Sequence, residues 1–600
     1  MRVVVCVKHV PIMSQLRFDP ETKRLVRDGV RGEASAFDVR ALVAAVALRA
    51  KHGGEVVALT MGPPAARESL EHCLALGADR GVHVGDPALA GSDTLATARA
   101  LAAAIRAEAP DLVLVGRSSV DAETGQVGPE TAELLGWAQA TVVRRLELDP
   151  VARTFEAERE TDDGFELVTG ALPVLISVAE DIAEERFPNK VERQAAAEKP
   201  IAGRSLADLG LAPNQVGAEG SPTWVAQLEE VAVTRAGDIL EGGDVAELAA
   251  RLRERLHALG ALTPAPPREP LPARTPGNAP PVWVVVESHA VAVRPVTFEL
   301  LTKAALLATA LGAPVEAVVI GPGAAHAAAL AAAGADRILV ADHEALDPYT
   351  TDAHAEILAT AIRTRRPRLV LLGSTVRGRD LAPRVAARLG LGLTGDAIDL
   401  ELDPEGNVRA MKPAFGGTVV APILSRTIPD MATVRPGLLH AAGPDPSRRA
   451  EIVRLDAGTP ASRVRVAAST PLPAGTDADL DEAPIVLGVG KGVGGPTALP
   501  AICALAARIG GAVAATREVT DAGWLPRQLQ IGLTGRAVAP RLYVGLGVGG
   551  TLEHMVGLRR AGTIVGVNKS PKAPIRKAAD VTVVADVLEL LPHLESALRP

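Results

Sequence analysis

The chain has 600 residues, 48% of them apolar and 22% charged, with a net charge of −8, a globular mixture whose length predicts about four domains, or two or three large ones. Aromatic residues are only 2%, so stacking-based nucleic-acid binding has little support, and no apolar run reaches the ~20 residues that span a bilayer. Cys6, Cys73 and Cys503 stand in no metal or disulfide spacing, and the opening residues lack a signal peptide's long apolar stretch, so a cytoplasmic protein that is not itself a membrane protein is expected.

In chain order, residues 2–7, 55–59, 81–84 and 111–115 are β-branched or Leu runs predicted as strands. Helical runs over 38–51, 64–76 and 93–107 lie between them. Near-continuous apolar strands joined by helices predict a parallel sheet covered on both faces. The loop 121–129 follows the fourth strand, at a sheet's C-terminal end. There Gln126, Val127 and Gly128 offer backbone donors and Asp121 and Thr124 offer side chains, a set suited to a nucleotide.

The pattern then repeats. Leu76-Gly-Ala-Asp-Arg80 recurs as Ala333-Gly-Ala-Asp-Arg337, and Pro110-Asp-Leu-Val-Leu-Val-Gly116 as Pro367-Arg-Leu-Val-Leu-Leu-Gly373, in one register (334 − 77 = 257; 373 − 116 = 257). Chance matches would not hold that register, so the chain contains two copies of one α/β domain. Strands of the second copy are predicted at 282–286, 315–320, 337–340 and 368–372. Its counterpart of the nucleotide loop, Val376-Arg377-Gly-Arg379-Asp380, lacks the donor pattern, so one copy alone should bind. Residues 263–281 carry too many prolines for helix or central strand and are expected to be a semi-extended linker.

A stretch rich in Ala, Pro and Asp, 467–483, reads as a hinge. Beyond it, apolar strands at 484–487, 511–515, 542–546, 564–567 and 581–584 predict a third, Rossmann-like doubly wound sheet over 484–600. Gly490-Lys-Gly-Val-Gly-Gly495 follows its first strand and would let backbone N–H groups approach a diphosphate. Some twenty residues on stands Thr516-Arg517 rather than the acidic residue that holds a ribose 2′-OH, which argues against NAD. Polar clusters then fall at one strand end after another: Thr516-Arg517 to Trp524, Gln530 to Arg536, Glu553-His554, Asn568 to Pro574, and Asp586. Together they favour a large polar ligand at one sheet edge.

Thr516-Arg517…Asp521-Ala-Gly-Trp524…Gln530-Ile-Gly…Thr534-Gly535…Glu553-His554…Asn568-Lys-Ser-Pro-Lys-Ala-Pro574 resembles the FAD-binding domain of the α subunit of electron-transfer flavoproteins. Gly378-Arg379-Asp380 and Arg435-Pro-Gly437 look like that subunit's N-terminal domain, and Val7-Lys8, Gly77-Ala-Asp-Arg80 and 121–129 like the β subunit. The resemblance implies a fused chain: 1–262 β-like, 282–466 the α N-terminal domain, 484–600 the FAD-binding domain. It implies FAD held by Thr516, Arg517, Gln530, Thr534, Gly535, His554, Asn568 and Asp586. Arg517 would stabilise the anionic reduced flavin from above the ring, Thr534 would bond near N5 and His554 near the pyrimidine carbonyl. Four positions depart from the family: Lys491 for Arg, Leu533 for Gln, Gly549-Gly550 for Ser-Gly, and Glu553 for Gln. The 121–128 loop would hold AMP, or a second FAD as in bifurcating members. The loop 181–201 would meet flavin dehydrogenases, with Lys190 where the family has a Leu anchor and Val191 one position on. The function implied is an electron carrier, without catalytic residues, between those dehydrogenases and a membrane quinone oxidoreductase. The alternatives are a bifurcating flavoprotein oxidising NADH and a nucleotide sensor without a redox role.

Overall fold

The computed structural model describes residues 1–12, 15, 17–18, 25–26, 30–226, 229–230, 235–263, 267–289, 292–415, 419–471, 480, 483–532 and 535–599. The chain divides into two compact units: Met1–Glu230, Arg268–Phe415 and Val419–Pro471 in one, Val231–Pro267, Gly416–Thr418 and Leu472–Pro600 in the other.

The first unit holds both copies of the repeat. In the first copy, parallel strands lie in the order Ile201–Arg204, Arg80–Val84, Glu55–Met61, Arg2–Cys6, Leu112–Gly116, Val174–Val178, Ala138–Asp149. In the second the order is Glu451–Arg454, Arg337–Ala341, Val315–Ile320, Val282–Val285, Leu369–Gly373, Asp430–Val434, Leu393–Ala397, position for position the same. The inner strands are apolar on both sides because each sheet has two cores, while the edge strands Ile201–Arg204 and Glu451–Arg454 are partly exposed. Val3 and Val5 face the core that Leu42 and Leu70 enter, while Val4 and Cys6 face that of Ile105 and Ala132.

Antiparallel arms, not read in the sequence, join the copies. Thr154–Thr161 and Gly164–Ala171 extend the first sheet, and Val464–Pro471 adds its last strand from the second copy. In return Thr223–Val225 pairs with Val419–Ser425. Arg384, fully buried, ties the copies further: its guanidinium lies 2.9 Å from both Glu133 and Asp352. The residues 268–281 are an ordered strap on the second copy rather than a free linker. Gly443 N donates to Glu269 O (2.8 Å), Arg448 to the Leu271 and Pro272 carbonyls, and Arg274 pairs with Asp336. Proline withholds N–H donors, yet these carbonyls and side chains fix the segment without them.

The second unit is one all-parallel sheet in the order Asp238–Leu240, Val581–Val583, Thr563–Val567, Leu542–Leu546, Ile485–Val489, Ala512–Ala515. Its first strand and the helix Val245–Ala258 lie within what the sequence reading gave to the first domain, a boundary the structure moves from 262 to near 231. The helix shows why: Leu248, Leu252 and Leu256 form one apolar stripe and bury it beside Val587, Leu590 and Leu594. Of the expected hinge, 467–471 belongs to the strand Val464–Pro471, and 472–479 and 481–482 lie outside the described residues. Among the described residues no helix is long and apolar enough to cross a membrane.

Candidate functional site

In the second unit the chain leaves Ile485–Val489 for Ala512–Ala515 on one side and returns to Leu542–Leu546 on the other. The carboxyl ends of the two strands flanking that reversal open the crevice where such sheets take ligands. The loops after them pack backbone to backbone: Gly490 N donates to Leu546 O (2.9 Å) and Gly492 N to Gly547 O (3.0 Å). A Cβ on Gly490 would stand 2.3 Å from Gly547 O, and one on Gly547 (φ +66°) 2.6 Å from Gly492 C. Glycine is therefore required at both, and the floor of the crevice is bare backbone. Lys491 sits in the exposed turn above it.

Thr516 caps the next strand end. It is 9% exposed, and its Oγ1 has no hydrogen-bond partner, an unmet need that a ligand atom would satisfy. Arg517 opens the short helix Arg517–Asp521 and donates from Nε to Asp521 (3.3 Å); Arg527 holds the other oxygen of the same carboxylate. Gln530 is buried and its Oε1 accepts from Thr520 Oγ1 (2.6 Å) and Arg527 (3.3 Å). Gly535 is packed against that residue, since a Cβ there would lie 2.3 Å from Gln530 O. Leu533 and Thr534 lie outside the described residues. Trp524, the aromatic nearest these groups in sequence, packs against the core of the sheet.

Three of the expected cofactor-binding side chains already have protein partners. His554 is 5% exposed, and both its ring nitrogens have partners: Nε2 is 2.8 Å from the Tyr543 hydroxyl and Nδ1 3.1 Å from Ile531 O. The carbonyl must accept, so Nδ1 carries the proton and Nε2 accepts from Tyr543. Burial pushes the imidazole down to about 4 against the opposing Ile531 bond, so it is neutral. Asp586 caps the helix Val587–Leu598 (Leu588 N, 2.8 Å) and pairs with Lys569 (2.6 Å), so its carboxylate is engaged locally. Asn568 likewise ties two loops, donating to Val548 O (3.0 Å) and accepting from Ser570 N (2.9 Å). Glu553 is exposed, and Gly549 has open space where its Cβ would be. Tyr543, Thr520 and Arg527 escaped the sequence reading; a Tyr inside the aliphatic run Leu-Tyr-Val-Gly-Leu was the signal for the first.

In the first unit the loop 121–126 leads into the helix Val127–Leu135, whose N-cap, Gln126, supplies no side-chain cap. The N–H groups of Val127 and Gly128 therefore face an open end suited to an anion. Gly128 lies against Val115, 3.0 Å from where a Cβ would stand. Burial would raise the Asp121 carboxyl, yet the Lys8 ammonium at 2.7 Å, with Ser119, holds it below the usual carboxylate range. Glu130, in the first helical turn, is 1% exposed, and burial together with Asp93 lifts its carboxyl well above that range. In the second copy the equivalent helix Val376–Leu389 is already capped. Thr375 Oγ1 accepts from Gly378 N, and the Asp162 carboxylate accepts from Val376 N (2.9 Å) and Arg377 N (3.1 Å).

The family description "Electron transfer flavoprotein domain" matches residues 22–209 and 282–460, one match for each copy. "Electron transfer flavoprotein FAD-binding domain" matches 479–559. The chain belongs to the electron transfer flavoprotein family. It is 38% identical over 321 residues to the electron transfer flavoprotein subunit alpha of Thermoanaerobacterium thermosaccharolyticum, covering 53% of this chain and 97% of that protein. It is 35% identical to Protein FixB of Clostridium saccharobutylicum (52% and 94%) and 36% identical to Lactate dehydrogenase (NAD(+),ferredoxin) subunit LctC of Acetobacterium woodii (50% and 73%). Each relative thus accounts for about half of this electron transfer flavoprotein. A flavin is its cofactor, and the backbone floor at Gly490 and Gly547 and the unpartnered Thr516 hydroxyl fit one.

Proposed function

We propose that this flavoprotein takes electrons from a flavin dehydrogenase onto FAD at the crevice beside Gly490 and Gly547, and passes them to a membrane quinone oxidoreductase. The observation that carries the site is the pairing of a bare-backbone floor with the orphaned Thr516 hydroxyl at one sheet edge. FAD supplies the redox chemistry; the protein binds, orients and sets the field around it. The side-chain-free floor at Gly490 and Gly547 would let the diphosphate approach the backbone closely, and the Thr516 hydroxyl would bond it or the ribityl chain. Arg517, tethered by Asp521, would place positive charge beside the ring and favour its anionic reduced form. Glu553, being exposed, adds little opposing field. The neutral Tyr543–His554 pair would wall the pocket without adding charge.

The 121–128 loop would hold AMP as a structural nucleotide, supported by its open helix end and by the raised Glu130 carboxyl. Asp162, already seated on the second copy's helix, favours one such nucleotide per chain. A second FAD in that loop, with bifurcation from NADH, is the rival reading, favoured by the likeness to LctC. Partner docking would use the loop 181–201. It is pinned at one end by Arg40 on the Glu180 and Ala183 carbonyls, and at the other by Lys199 on those of Leu74 and Ala78. Phe187 and Val191, each 73% exposed, would supply the apolar anchor that Lys190 cannot. The test is anaerobic titration of purified protein with dithionite: visible flavin absorbance that bleaches and returns on addition of a quinone oxidoreductase supports the carrier reading. Protein without reducible flavin would sink it.

A further inference from the structure

We infer that Arg379 and Gly395, both in the second copy, are positioning residues for the nucleotide loop of the first. The inference rests on the reading of the 121–128 loop as a nucleotide site. That loop is held from the second copy at every turn. Phe415 N donates to Asp121 O (3.0 Å), Arg379 Nη1 to Glu123 O (3.2 Å), and Gln126 Nε2 to Leu393 O (3.0 Å). Glu123, in the middle, has φ +49°, a left-handed conformation that a non-glycine residue keeps only where its surroundings impose it.

Arg379 helps to hold it from the second copy, beside the Glu123 N bond to Ser119 O (2.8 Å) within the first. Its Nη2 is anchored 2.8 Å from Asp396, itself fully buried and also left-handed (φ +59°), while Nη1 reaches across to the Glu123 carbonyl. Arg435 spans the same pair, bonded to Asp396 and 3.6 Å from the Glu123 carboxylate. A planar two-pronged guanidinium serves both ends at once, which a lysine ammonium on a flexible stem cannot do. Gly395 completes the fit by its missing side chain. A Cβ there would stand 3.1 Å from the Gln126 carboxamide carbon and 3.3 Å from Thr124 O, so any larger residue pushes on the two loop positions beside Val127 and Gly128. Displacing those N–H groups by a fraction of an ångström weakens anion binding, because charge-assisted bonds depend on short distance and alignment.

The experiment titrates AMP, and separately FAD, into full-length protein stripped of loosely held nucleotide, for the natural chain, Arg379→Ala, Arg379→Lys and Gly395→Val. We expect Arg379→Ala and Gly395→Val to weaken binding to the first copy at least tenfold. Arg379→Lys should recover little of the loss, and flavin in the second unit should stay at one per chain. A thermal melt accompanies each variant, and Gly395→Val stands in if Arg379→Ala does not fold. Unchanged affinity in folded variants, or full recovery in Arg379→Lys, overturns the inference and leaves the nucleotide reading standing. A natural chain that binds neither AMP nor a second FAD overturns both.

Discussion

The Tyr543 hydroxyl lies 2.8 Å from His554 Nε2 in the interior of the FAD-binding unit, with Gly488 directly beside it. A Cβ on Gly488 would stand 1.8 Å from that hydroxyl, so the strand Ile485–Val489 is notched to receive it. One polar pair inside an aliphatic sheet fixes where the segment after Thr551 sits, and hence one wall of the crevice.

Removing the hydroxyl leaves His554 Nε2 buried without a donor. Tyr543→Phe should cost about 1–3 kcal/mol of unit stability, and Gly488→Ala more, by steric clash. Gly488→Ala should stay costly in a Tyr543→Phe background, because its Cβ would still stand 2.4 Å from the ring Cζ. Chemical denaturation of the three variants checks this, and a Gly488→Ala cost that vanishes in that background would mean the hydroxyl alone fills the notch.

The same pair predicts a pH dependence. His554 titrates near 6.5 when unfolded and is lowered to about 4 when folded. The unfolded chain therefore binds the extra proton first, and stability falls as pH drops from about 6.5 towards 4, by on the order of 3 kcal/mol. Above pH 6.5 the contribution is fully present. Melting of His554→Asn against the natural chain should show a shallower loss over that window; parallel curves would contradict it.

Arg384 predicts an effect on the first unit. Arg384→Leu removes the buried guanidinium between Glu133 and Asp352 but leaves Glu133 its Arg388 partner (2.7 Å) and Asp352 its Arg463 partner, so the cost should be about 1–3 kcal/mol rather than that of an unpaired buried charge. Denaturation followed by circular dichroism reads it, and a loss under about 1 kcal/mol would show that water reaches the pair.

Two substitutions address function. Arg517→Ala should lower the flavin potential by removing the positive charge that favours the anionic reduced form; an unchanged potential would place that guanidinium elsewhere. Lys190→Leu should speed electron transfer from a flavin dehydrogenase, since it puts an apolar side chain next to Val191. An unchanged rate counts against the 181–201 loop as the docking element.

Much of this was legible because it rests on period and register. The repeat at Gly77 and Gly334 announced two copies, and their sheets share one strand order. The glycine-rich turn Gly490 to Gly495 pointed to the strand end where the crevice opens. What was not legible depends on partners far along the chain. Thr223–Val225 and Val464–Pro471 are short strands whose ladder partners lie about 200 to 300 residues away. The stripe Leu248, Leu252, Leu256 says that a helix buries one face and not which core receives it. Asp586 and Asn568 are polar residues at strand ends, where capping and ligand binding ask for the same side chains. The hydrogen bonds of Asp586 with Leu588 N and of Asn568 with Val548 O show the capping and loop-tying that the sequence leaves unread.

The central claim is one redox flavin in the FAD-binding unit and one non-redox nucleotide in the first copy. Quantifying the nucleotides released from heat-denatured, purified chain tests it most directly. The account predicts one FAD and one AMP per chain. Two FAD and no AMP, or no flavin at all, would contradict it.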